Sequence, residues 1–152
     1  MPALSDHMRQ IERNIRFLND CEQEKCGHTR EYSEWGVVVR FYIAMHIVEA
    51  MLSTDGKHSR NHGERNRNVM VTHQMFSPRF RQCYADIYSL SRTARYLERY
   101  GRSVEQFEAI AAGRHLNAIR NEGRAFLAQY IASVAQAGGK QHRQEIHMSP
   151  LL

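Results

Sequence analysis

The sequence predicts an all-α fold, an antiparallel up-and-down bundle of four main helices plus a short extra helix. Three observations carry that expectation. Gly (9) and Pro (3) are few in 152 residues, while Ala, Arg, Gln, Glu, Leu and Met, which suit helices, are plentiful. No run of alternating β-branched residues marks a strand. Apolar residues recur at intervals of three and four, bounded by capping and stop signals a short distance apart. A single domain over residues 1–138 is expected, followed by a polar tail, 139–152, predicted to be disordered.

Met8, Ile11, Ile15 and Leu18 form the apolar stripe of a first helix over about 5–25, with Ser5 as its N-cap. "CGHTREYS" reads as a connection, and Ser33 caps a second helix. That helix stops at "STDG" (53–56), where Gly56 can adopt the left-handed conformation. A short helix is expected over about 62–73. "SP" at 77–78 starts the next one, Ser77 capping and Pro78 in the first turn. It should run to about Tyr100 and stop at Gly101. "SVEQ" (103–106) is a capping box opening the last helix, which Gly138-Gly139 ends.

Composition narrows the function. Three cysteines, Cys21, Cys26 and Cys83, lack metal-ligand spacing, and with no secretory leader in view the expectation is reduced thiols in a cytoplasm. Val37–Leu52 is apolar but interrupted by Arg40, His46 and Glu49, so it reads as a buried helix and no membrane association is expected. The positive charge is concentrated. Residues 57–102 hold ten Lys or Arg against three Asp or Glu, and the rest of the chain eleven against thirteen. A basic block of this kind suits a polyanion such as RNA, or a nucleotide.

Three groups of residues could carry chemistry. On the second helix Trp35, Tyr42, His46, Glu49 and Ser53 share one side. Of these, Tyr42, His46 and Glu49 are expected to form a buried polar seam, His46 bonding Glu49 three positions on. From Pro78 onward, Arg81, Tyr88, Arg92, Arg95 and Arg99 lie within roughly 40° of one line, a row suited to phosphates and a stacked base. Between them lies "KHSRNHGERNRNVMVTH" (57–73), with seven basic or imidazole side chains. There Arg65 and Arg67 can clamp phosphate, His58, Asn66 and Asn68 can contact the ligand, and a histidine can move a proton near neutral pH. A metal held by His58 and His62, with His46 or His73, is disfavoured: no acidic or thiol ligand completes the set locally, and neighbouring cations would repel the ion. No metal or cofactor is therefore expected.

The run "WGVVVRFYIAMHIVEAMLSTDGKHSRNHGERNRNV" (35–69), followed by "SRTARYLERY" (91–100), resembles HEPN domains. The resemblance covers roughly residues 5–130. It implies a small up-and-down bundle, commonly a homodimer with a basic cleft across the interface, acting as a metal-independent ribonuclease in toxin–antitoxin, CRISPR or other antiviral systems, or as an inactive binder of RNA or nucleotides. Active members carry an Arg, four to six residues and a His, often with Asn directly after the Arg. "RNVMVTH" has that pattern, which implies Arg67, Asn68 and His73 as catalytic residues, with His62 and Arg65 as the alternative. "RFYIAMH" has it too, but Arg40 and His46 fall on opposite sides of their helix. Two other readings stand beside the ribonuclease. One is a non-catalytic partner, such as an antitoxin that neutralises a nucleotidyltransferase toxin. The other is a small metalloenzyme built on His46, Glu49, His58 and His62.

Overall fold

The computed structural model describes residues 3–23, 33–96 and 106–137. Five helices are present there: α1 (Leu4–Gln23), α2 (Ser33–Ser53), α3 (His62–Arg67, widening into a π-helical turn over Asn68–Thr72), α4 (Pro78–Arg95) and α5 (Gln106–Ala137). The described residues contain no strand.

α2 is the centre of the bundle because it is apolar almost all round. Phe41, Ile43, Ile47, Met51 and Leu52 are all buried to within 1% of complete, each contributing roughly 1.5–3 kcal/mol of hydrophobic stabilisation. α1 packs on α2, and α4 and α5 pack on α2 and on each other. The order is up and down. His7, early in α1, meets His46, late in α2; Phe41, early in α2, meets Tyr88, late in α4; and Ser77, just before α4, reaches Glu122 in the second half of α5. By length and composition Glu34–Ser53 could cross a bilayer, but 61% of the stretch is buried inside the bundle, as a core helix requires.

The capping signals act as expected at two places. Ser77 accepts a hydrogen bond from the Phe80 N–H at 3.0 Å, with Pro78 next to it. Gly56 has φ +68°. The glycines expected to end α5, Gly138 and Gly139, lie outside the described residues. At the first helix the cap differs: the Asp6 carboxylate, not Ser5, accepts the Ala3 N–H, a stronger acceptor at a helix N-terminus. α4 ends earlier than expected, at Arg95, where Tyr96 leaves helical geometry with ψ 52°. The expected stop at Gly101, the Ser103 half of the capping box, Cys26 and the tail lie outside the described residues.

α2 and α5 approach closely at Gly123, where a Cβ would lie 2.5 Å from the Ile47 Cγ2 methyl. That methyl is fixed by β-branching in a helix, so Gly123→Ala should destabilise the fold by about 1–3 kcal/mol through overpacking, less about 1 kcal/mol of helix propensity. At Gly36 the added Cβ meets only the tip of the Arg40 side chain, and Gly36→Ala should be neutral or stabilising. Urea unfolding of the two variants checks the contrast.

Candidate functional site

The elbow between α2 and α4 is built from its own residues first. Asn61, extended at φ −156°, accepts the Glu64 N–H at 2.9 Å and so caps α3. Glu64 returns to accept the Arg60 N–H at 2.8 Å. After one ordinary turn the helix widens, and the His73 N–H bonds the Asn68 carbonyl five residues back, a π-type turn of the kind often found at functional sites.

This elbow folds onto Glu49, which is 3% exposed. The carboxylate is the hub of the site. Oε1 accepts Arg65 Nε at 2.6 Å. Oε2 accepts the Ser59 backbone N–H at 3.1 Å and lies 3.2 Å from His58 Nδ1. Burial alone would raise its pKa, but the Ser59 N–H and the Arg65 guanidinium more than offset this, and the carboxyl is held below its ordinary range. Arg65, itself 7% exposed, also faces His62 Nδ1 at 3.1 Å.

The expected His46–Glu49 bond is absent. The hub's bonds go to Arg65, His58 and Ser59, while His46 Nδ1 lies 3.2 Å from His7 Nδ1 on α1. Long-range partners displaced the local one. The His7 ring is buried and 5.1 Å from the His58 ring, and its Nε2 is buried without a hydrogen-bond partner. Burial and the neighbouring cations lower the pKa of both rings, that of His46 to about 4. Both are therefore neutral at pH 7. Tyr42 corrects the seam in another way: it is 37% exposed, with its ring beside Phe41, and is not a buried member of the seam.

Two surfaces flank the hub. On one side His62 lies against the rings of Phe41 and Tyr88 at 5.7 and 6.1 Å. Arg92 lies over Tyr88, and Arg95 over Phe41. Asp86 gives its carboxylate to Gln82 and His115. On the other side is an open groove of about 680 Å³ lined by Lys57, His58, Arg60, Asn68 and His73 among others, within the size range of ligand sites. Lys57 Nζ is 3.5 Å from His73 Nδ1, and Arg81 donates to the His73 carbonyl at 3.1 Å. Burial, then Lys57, lowers the His73 pKa, with Asp55 opposing.

The residues singled out in the sequence thus divide. His58, Asn68 and His73 share the groove; His62 touches buried Arg65 and the Tyr88 ring, Arg92 lies over Tyr88 and Arg95 over Phe41; Arg81 bridges the elbow to α4. Arg67 is exposed and outside the groove lining, with no hydrogen bond or ion pair to His73 among the described residues. Asn66 is half-buried, its Oδ1 without a partner. Arg99 lies outside the described residues. His7 escaped the sequence reading, although it sits four residues before Ile11 and so extends the stripe of α1 by one turn. Searches with this chain find no matching protein-family model, no matching curated protein and no matching solved structure.

Proposed function

We propose that this protein binds RNA or a nucleotide where the elbow and α4 meet, in the manner of the HEPN domains it resembles. One observation supports this above the others: two contacts tie the elbow to α4, His62 against Tyr88 and Arg81 on the His73 carbonyl. Guanidiniums stacked on rings offer both a phosphate contact and a platform for a base, and Lys57, Arg60 and Asn68 add donors in the groove.

A second reading, metal-independent cleavage of the bound RNA, is favoured by the pairing of His73 with Lys57. A neutral imidazole can take the 2′-hydroxyl proton, and the ammonium beside it can stabilise the charge developing on the phosphorane.

The test is fluorescence anisotropy with a labelled single-stranded RNA across a salt series. Affinity should fall with salt at a log–log slope of about −0.7 per phosphate contacted. Arg92→Glu with Arg95→Glu, and separately Lys57→Glu with Arg60→Glu, should each weaken binding and flatten that slope. Wild-type protein that does not bind, or binds without salt dependence, overturns the proposal. Binding without fragments ending in cyclic phosphate leaves a non-catalytic binder.

A further inference from the structure

We propose that His7, His46, Glu49 and His58 form a site for one divalent transition-metal ion of the zinc class, behind the groove at the junction of α1, α2 and the elbow. The inference stands on the buried cluster and is independent of RNA binding.

Three imidazoles and a carboxylate are a donor set that zinc uses. The sequence offered His46, Glu49, His58 and His62 as one metalloenzyme set, although it disfavoured a metal at the elbow. The fold puts His7 of α1 beside Glu49 and His58 instead, while His62 faces Arg65. Ligand atoms of His7, Glu49 and His58 lie within 4.8 Å of one another. One contact already has the length of a coordination edge, His58 Nδ1 to Glu49 Oε2 at 3.2 Å, and His46 Nδ1 joins the cluster 3.2 Å from His7 Nδ1. Ligands at about 2.0–2.1 Å from a tetrahedral centre stand roughly 3.3–3.4 Å apart.

The ion-free cluster is under-satisfied. His7 is 6% exposed, with one nitrogen facing another imidazole nitrogen and the other facing no partner. Such a buried polar atom is costly, and coordination would give the ring a strong partner. Burial keeps His7 and His46 neutral and so able to donate a lone pair. Arg65 opposes a cation, but its Nε takes Oε1 while Oε2 faces His58. The two like charges would then occupy different oxygens of one carboxylate, with Arg65 fixing its orientation. An ion here would tie the first turns of α1 and the floor of the elbow to α2.

The experiment is a Co²⁺ titration of untagged, chelator-treated, dialysed full-length protein, followed by the visible absorption of four-coordinate cobalt and by competition with Zn²⁺. One equivalent should produce the tetrahedral spectrum, and Zn²⁺ should abolish it. His7→Gln and His46→Gln should each weaken Co²⁺ binding at least tenfold. His115→Gln, and His142→Gln with His147→Gln in the C-terminal segment, should leave it unchanged. Circular dichroism establishes that each variant is folded. A wild type with no four-coordinate spectrum overturns the proposal, as does a spectrum that survives in both cluster variants or disappears with the C-terminal histidines.

Discussion

Glu49→Gln should lower the folding stability by about 3–5 kcal/mol, the cost typical of removing one partner from a buried ion pair. The carboxylate is 3% exposed and the Arg65 side chain it neutralises is 9% exposed, at 2.6 Å. A glutamine amide can still accept the Ser59 N–H, but it cannot balance the guanidinium. Arg65 would then be left buried and charged, between His62 on one side and the apolar core on the other. Against a domain stability of roughly 5–15 kcal/mol, that is a large fraction. The double variant Glu49→Leu with Arg65→Met should recover most of the loss, because replacing both charges with apolar groups removes the desolvation cost as well as the attraction. Urea unfolding in chelator-containing buffer separates these effects from any bound ion, and an unchanged slope shows that stability alone has moved. A loss under about 1 kcal/mol for Glu49→Gln would place this pair with exposed ion pairs.

The same cluster shows which parts of the fold are legible in a sequence. Local signals carried well. Ser77-Pro78 capped α4, Gly56 took its left-handed turn, and the all-round apolarity of α2 placed it at the centre. Those features depend on residues within a few positions of one another. The site does not. Periodicity put His46 and Glu49 on one side of α2, but their bonds go to His7, 39 positions away, and to Arg65, 16 away. Nothing in helical spacing distinguishes a local pair from two long-range ones. Asn61 and Glu64 cap α3, a local signal that the sequence reading passed over, and the widening of that helix at Asn68 has no such signature. In the Arg67–His73 segment the π-helical turn intervenes and His73 leaves it in extended geometry, φ −114°, so Arg67 faces solvent while His73 is 8% exposed in the groove wall.

That difference makes His73 the more informative substitution. On the reading in which the bound RNA is cleaved, His73→Ala should reduce that cleavage by about 10²–10⁴-fold, the usual worth of one proton-transfer group, while RNA affinity stays close to wild type. Binding should survive because the contact that joins this segment to α4 uses the His73 backbone carbonyl, which accepts from Arg81 and is retained by alanine. The pH profile carries a sign. Burial, reinforced by Lys57, holds the His73 pKa below 6.5, so the ring is neutral and competent as a base at pH 7. Cleavage should therefore be flat near neutrality and fall only on the acid side, as the pH drops through that lowered value. Lys57→Met removes the nearby ammonium while Asp55, which raises the pKa, remains. The acid limb should then move to higher pH, and the plateau should drop as well if the ammonium also stabilises the phosphorane. Initial rates of cyclic-phosphate formation between about pH 4 and 8, in buffer without added divalent ion, give both observables. A wild-type rate in His73→Ala would remove this imidazole from the chemistry. An acid limb that stays in place in Lys57→Met would show that another group is being titrated.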